Sequence, residues 1–200
     1  MGTRGVPGTH DLQMLSTCIE SLKGLPKEKE LHLPRFDKST DDRAKPPVWP
    51  TVVGPVDVII LEGWCVGSSP QEDSALLQAI NSLEEEQDSS GRWRRFVNDQ
   101  LAGAYATLFA QLDALIFLRV PDFDAVYRWR LEQEEKLAST TTALAAMSAA
   151  QVARFVQHFE RITRENLLVM PSKADVMLEF DDNHDCTGSY LPSAWRRDLI

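Results

Sequence analysis

Three apolar runs of strand length, separated by stretches with helical periodicity, limit the folds open to this chain more than any other feature. Val56-Asp57-Val58-Ile59-Ile60-Leu61-Glu62-Gly63 is rich in β-branched residues and bounded by Pro55 and Gly63. Ala114 to Val120 is the second run, stopped by Pro121, and Ala174 to Phe180 is the third. Near-continuous apolar runs of this length read as parallel strands buried on both faces. Between them the spacing predicts helices. Leu12, Leu15, Ile19 and Leu22 recur at helical intervals over 11–23, with Gly24 as the C-cap. Leu101, Tyr105, Leu108 and Leu112 share one face within Phe96 to Asp113. Asp122 to Leu144 reads as a long charged helix. Ser148 and Gln151 form a capping box ahead of Val152, Phe155, Val156 and Phe159. Strands alternating with helices predict an α/β fold with a parallel sheet. Leu31 to Leu33 suggests a short strand, 38–55 a Pro-rich loop, and 67–92 a loop with a short helix. The segment from Asp181 to Ile200 carries no clear pattern.

The chain has 200 residues, 43% hydrophobic and 26% charged, which suits one domain with one sizeable core. Its net charge of −9 disfavours nucleic acid and anionic membranes as partners, so an anionic ligand must be gripped by a local Arg or Lys cluster. Cys18, Cys65 and Cys186 are scattered and odd in number, which points to a reducing compartment without a disulfide framework. No apolar leader opens the sequence, and no run reaches the roughly 20 residues of a membrane span. A cytoplasmic protein is expected.

In open α/β sheets, ligands bind beyond the carboxyl ends of the strands. Glu62 sits at that end of the first run, where a carboxylate can hold Mg²⁺ through water; strand-end acids are also commonly just solvated. Asp37 closes another short extended stretch and is followed by Asp41, Asp42 and Arg43. Asp37 can accept a hydroxyl proton and Arg43 can grip a carboxylate, although the same residues would suit a charged surface loop. Arg128 and Arg130 lie in Tyr127-Arg128-Trp129-Arg130 on the long helix, where arginines either neutralise a transferring phosphoryl group or decorate a solvated face. Arg161 and Arg164 share that ambiguity. His10 and Asp11 follow a Gly-Val-Pro-Gly-Thr turn and can line a polar site, although Asp11 would equally cap the helix after it. The sequence has no G-x-S-x-G elbow for a hydrolase and no convincing zinc-ligand spacing.

Four of these segments occur in one order: Arg4-Gly-Val-Pro-Gly-Thr-His-Asp11, Leu33-Pro-Arg-Phe-Asp-Lys-Ser-Thr-Asp-Asp-Arg43, Asp57-Val-Ile-Ile-Leu-Glu-Gly-Trp-Cys-Val-Gly67 and Tyr127-Arg-Trp-Arg-Leu-Glu-Gln-Glu-Glu-Lys-Leu137. That order resembles the D-glycerate 3-kinase family over roughly 4–180, and more distantly the uridine and pantothenate kinases. The resemblance implies a P-loop NTPase-like doubly wound parallel sheet, with ATP and Mg²⁺ as cofactors. It further implies phosphoryl transfer to a hydroxyl of glycerate or a similar small compound. Carried over by position, Asp37 and Arg43 fall in the substrate-side loop. Glu62 falls on the strand-end acid near metal and phosphates, His10 and Asp11 beside the acceptor, and Arg128 and Arg130 in a lid over the phosphates.

One departure is large. A P-loop needs G-x-x-x-x-G-K-[ST], whose backbone amides and lysine cradle the phosphates, and this chain contains no Gly-Lys dipeptide. The family's first strand and that loop would lie upstream of Arg4. The expected fold is therefore incomplete at its N-terminus, with an alternative function as a non-catalytic metabolite- or partner-binding remnant. Loss of the first strand should leave Val58, Ile60 and Leu61 without cover.

Overall fold

A computed structural model describes residues 3–38, 40–140 and 146–191. The backbone divides into two compact units, Asp11–Trp64 and a second one formed by Met1–His10 with Cys65–Ile200.

The unit Asp11–Trp64 opens with helix α1, Leu12–Lys23, as the periodicity predicts. Asp11 is its N-cap, its carboxylate accepting from the Met14 amide, and Gly24 is its C-cap. Strand β1, Glu30–His32, pairs antiparallel with β4, Thr51–Val53. A second antiparallel ladder joins β2, Phe36–Asp37, to β3, Asp42–Arg43. The expected loop over 38–55 thus holds two short strands and a 3₁₀ turn at Pro46–Val48.

The run 56–62 departs from expectation. It forms no strand, and Val58 and Ile60 are 74% and 86% exposed. Glu62 therefore does not cap a buried parallel strand. Composition favours an extended conformation here, but a strand exists only when a neighbour satisfies its amides and carbonyls. Among the described residues none does.

The second unit holds a three-stranded sheet in the order β5-β6-β7. Strand β5, Ile116–Arg119, runs parallel to β6, Val176–Phe180, and β6 pairs antiparallel with β7, Cys186–Tyr190. Asp175 fixes the register where the parallel pair begins. Its carboxylate accepts from the Leu115 amide at 2.8 Å, and the Leu115 carbonyl accepts from the amides of Asp175 and Val176. The structure is α/β with small sheets. Contrary to the buried-strand reading, Ile116 and Leu118 are more than half exposed on β5. Strand β7 lies in the tail where the sequence shows no pattern.

Helix α2, Ser82–Gln87, sits in the polar stretch read as a loop with a short helix. Helix α3, Arg92–Gln100, runs through a π turn at Leu101–Tyr105 into α4, Ala106–Phe109. Helix α5, Phe123–Thr140, covers most of the predicted long helix; the remainder of that prediction, 141–144, lies outside the described residues. Helix α6, Ala149–Lys173, begins with the predicted capping box at Ser148 and Gln151. Helices α5 and α6 pack through Phe123, Val152 and Val156, with Val126, Leu131 and Phe155 around them. The period of 3.6 brings these side chains onto facing stripes.

Two buried arginines tie the irregular segment 68–92 to the helices. Arg161 donates to the Glu84 carboxylate at 2.8 and 2.6 Å and to the carbonyls of Ala75 and Gln78. Arg94 donates to the Leu76 carbonyl at 2.6 Å and to Asp88. A chain without regular ladders needs its carbonyls satisfied by side chains, and these two guanidiniums do so.

Candidate functional site

Within Asp11–Trp64 the fold brings together two residues that the sequence placed in separate motifs. Arg43, at the end of β3, donates from Nη2 to Asp11 Oδ2 at 2.9 Å. Asp11 Oδ1 meanwhile accepts from the Met14 amide at 3.0 Å. That amide hydrogen bond, and then Arg43, hold the Asp11 carboxyl below its ordinary range. The cap and the substrate-side reading of Asp11 are thus compatible, because its two oxygens do different things. Asp37 stands opposite Asp42 in the β2–β3 ladder, one residue pair from the Phe36–Arg43 pair. On the α1 side of this unit lies a shallow cleft of about 450 Å³, lined in part by Asp11, Met14, Thr17, His32 and Trp49. The Trp49 indole is fixed by donating to the Ala44 carbonyl at 2.7 Å.

Glu62 is exposed on the unpaired segment after Leu61. No group of three or more His, Cys, Asp or Glu among the described residues is placed to hold a metal ion. A lone carboxylate still fits Mg²⁺ as one oxygen donor, since that ion keeps most of its waters and takes its remaining ligands from phosphate. The phosphate cradle itself is not among these 200 residues.

In the other unit, the turn at the start of the chain is built around two glycines. Gly5 and Gly8 have φ of 90° and 93°, a region that side chains disfavour. A Cβ on Gly8 would lie 2.5 Å from the Phe96 ring, so only glycine allows this approach to α3. Val6 is buried, and Thr9 ties the turn by accepting from the Gly5 amide and donating to the Val6 carbonyl. At the end of the turn, His10 Nδ1 lies 2.6 Å from the Tyr105 hydroxyl, which also accepts from the Gly8 amide at 3.0 Å. Burial lowers the His10 pKa and raises that of Tyr105. Sequence reasoning missed Tyr105 as a site residue because it falls on the apolar stripe of its helix. The available signal was its hydroxyl, which needs a partner when buried.

Arg128 and Arg130 occupy the start of α5 in the same unit. Arg128 is paired with Asp182 and, at 3.7 Å, with Asp122, which raises its pKa. Arg130 is ion-paired with the buried Glu134 and stacks over the Phe155 ring at 5.7 Å. Beyond the carboxyl ends of β5 and β6 lies a shallow cleft of about 350 Å³, lined by Arg119, Glu179, Asp181, Asp182 and Thr187 among others. Arg119 donates to Glu179 across its floor at 2.6 Å. Neither residue stood out in the sequence, because each reads as the charged end of an apolar strand.

No family model matches the chain. Individual proteins do. The chain is 33% identical over 161 residues to a chloroplastic D-glycerate 3-kinase of Arabidopsis thaliana, a match covering 78% of this chain and 32% of that protein. It is 30% identical over 177 residues to the probable ATP-dependent kinase TDA10 of Saccharomyces cerevisiae, covering 78% of this chain and 53% of the relative. Among solved structures it matches a D-glycerate 3-kinase of Cryptococcus neoformans with a TM-score of 0.74 and 25% identity, over 94% of this chain and 69% of that one. The chain therefore spans about a third to a half of the length of these two curated relatives. Fold and sequence thus set this α/β chain beside proteins named as kinases. It is similar to D-glycerate 3-kinases in both sequence and fold.

Proposed function

We propose that this chain supplies part of an ATP-dependent kinase that transfers the γ-phosphoryl group of ATP to a hydroxyl of glycerate or a similar small hydroxy acid. The observation that carries the reading is the Arg43–Asp11 pair at 2.9 Å, which joins two motifs in a chain related to D-glycerate 3-kinases. A guanidinium held in place by one carboxylate is oriented to receive another, that of the acceptor.

In this reading His10, Asp11 and Arg43 bind the acceptor, and Asp37 orients or deprotonates its hydroxyl. Glu62 takes one position on Mg²⁺. Arg128 and Arg130 neutralise phosphate charge after exchanging their present carboxylate partners. Catalysis of this kind is mostly positioning and charge stabilisation, with little covalent work for side chains. In this reading β5 and β6 belong to a doubly wound sheet of the P-loop kinase type that lacks its first strand and phosphate cradle here. No helix among the described residues is long and apolar enough to cross a membrane, and a cytoplasmic location goes with the proposal.

One observation favours a second reading, a metabolite-binding remnant without catalysis: the chain has no Gly-Lys dipeptide. ADP release separates the two readings. It is measured with D-glycerate, uridine and pantothenate, both for this chain and for the longest in-frame product of its gene. The kinase reading expects turnover with glycerate in the longer product and its loss by orders of magnitude in Glu62→Ala. Absence of turnover with every acceptor, alongside glycerate binding to the short chain, would establish the remnant.

A further inference from the structure

The hydrogen-bond arrangement around Tyr105 determines more about His10 than its presence beside an acceptor. Tyr105 is 2% exposed. Its hydroxyl lies 3.0 Å from the Gly8 amide nitrogen and 2.6 Å from His10 Nδ1. A backbone N–H only donates, so towards Gly8 the hydroxyl oxygen is the acceptor. The hydroxyl proton then needs an acceptor of its own, and among the described residues that acceptor is Nδ1. On a neutral imidazole this places the ring proton on Nε2. Protonating Nδ1 as well would make it a second donor to the hydroxyl oxygen and leave the buried O–H without an acceptor among the described residues.

The helix is built to deliver this hydroxyl. The π turn at Leu101–Tyr105 inserts one residue into the winding, which rotates everything after it by about 100° relative to an unbroken helix. Leu101 and Tyr105 are both buried. The two rings meet edge to face, with centroids 6.0 Å apart and planes at 63°. The glycine turn reaches the same point from the other side, since Gly8 both donates to the hydroxyl and leaves room for Phe96. The His10 side chain is thus clamped at Nδ1 while the residue as a whole is exposed.

We propose that Tyr105 is a positioning residue that fixes His10 as a neutral imidazole protonated on Nε2, making His10 a hydrogen-bond donor to a carboxylate oxygen of the acceptor and not its general base. The donor geometry rests on the Tyr105 contacts alone; the identity of the ligand rests on the kinase reading above. Partial desolvation of the ring, which lowers the His10 pKa, acts in the same direction by disfavouring the charged form. A neutral donor suits an anionic small acid because a carboxylate oxygen accepts hydrogen bonds and never donates one.

The test is long-range ¹H–¹⁵N NMR of the histidine rings in the purified full chain, with His10→Gln identifying the His10 signals. At pH 7, His10 should show a protonated Nε2 and a pyridine-type Nδ1 shifted by a hydrogen bond. Tyr105→Phe should return His10 to a mixture of tautomers. A wild-type spectrum with the proton on Nδ1, or a charged ring at pH 7, overturns the proposal without recourse to any variant. Titration with D-glycerate then probes the ligand. The His10 Nε2 resonance should move, and affinity should fall about tenfold or more in His10→Ala and less in His10→Gln, whose amide can still donate. The expected tautomer with a His10 signal indifferent to bound glycerate removes the ligand part alone. The kinase reading is judged separately, by ADP release.

Discussion

Arg43 Nη2 and Asp11 Oδ2 stand 2.9 Å apart although 32 residues separate them in the chain. The other Asp11 oxygen caps α1. The carboxyl pKa is lowered, so the folded state holds this group charged below the ordinary aspartate value of 3.8. A depressed carboxyl contributes stability that is fully present above 3.8 and is lost as pH falls through the folded value. Asp11→Asn should therefore lower the neutral plateau of the stability curve, flatten its acid limb, and leave stability at the acid end nearly unchanged. Urea midpoints measured across the acid range, from about pH 2 to about pH 6, check this.

The Arg161–Glu84 pair should be among the most sensitive polar contacts in the molecule. Its side chains are 10% and 12% exposed, and Arg161 also satisfies two loop carbonyls. Arg161→Ala leaves the mostly buried Glu84 carboxylate with only the Ile80 amide and an Arg94 guanidinium at 4.0 Å, a change that costs on the order of 3 kcal/mol. Lys136 and Glu132 pair on an exposed face of α5, with side chains 70% and 43% exposed, so Lys136→Ala should cost about 0.5 kcal/mol or less. Chemical denaturation of the two variants should separate them clearly.

Gly67 follows the buried Cys65 and turns the chain with φ of 78°. A Cβ there would lie 2.7 Å from a Leu115 methyl group, next to the start of β5. The Gly67 carbonyl also accepts from Lys173 Nζ at 2.5 Å. Gly67→Ala combines backbone strain with overpacking and should destabilise by about 2 kcal/mol or more. Gly103, with open space around it, should accept alanine without loss, and thermal melts of the pair give the comparison.

The cysteines should differ sharply in reactivity. Burial pushes the Cys65 thiol up to about 11, whereas Cys186 is exposed on β7. At pH 8 the thiolate fraction of Cys65 is about one in a thousand, and the thiolate is the reactive species. Iodoacetamide followed by peptide mass spectrometry should label Cys186 within minutes and Cys65 only in denaturant. Early labelling of Cys65 would show that the loop after Trp64 opens readily.

Val58 and Ile60 present apolar surface to water in this chain. Val58→Thr with Ile60→Thr should leave the stability within about 0.5 kcal/mol and reduce self-association measured by light scattering. A large loss of stability would mean that the segment is buried after all.

Local chemistry makes several elements legible in the sequence. Asp11 and Gly24 bracket α1, Ser148 and Gln151 start α6, and Pro121 stops β5, because caps and breakers act within a few residues of themselves. The apolar runs at 114–120 and 174–180 are recognisable as strands. Four motifs in order are enough to point to the family. Strand β7 is invisible at that level, because Cys186–Tyr190 has little apolar character and exists through its ladder with β6.

Helix boundaries, and the stock of side chains suited to phosphate and carboxylate chemistry, can be read from the order of residues because both depend on near neighbours and side-chain identity. Contacts made only on folding account for the rest. Folding leaves 56–62 without a strand partner among the described residues, joins Asp11 to Arg43, and sets a buried tyrosine hydroxyl against His10. Pairing, burial and the location of a shared proton depend on groups far apart along the chain, and no local pattern encodes their distance.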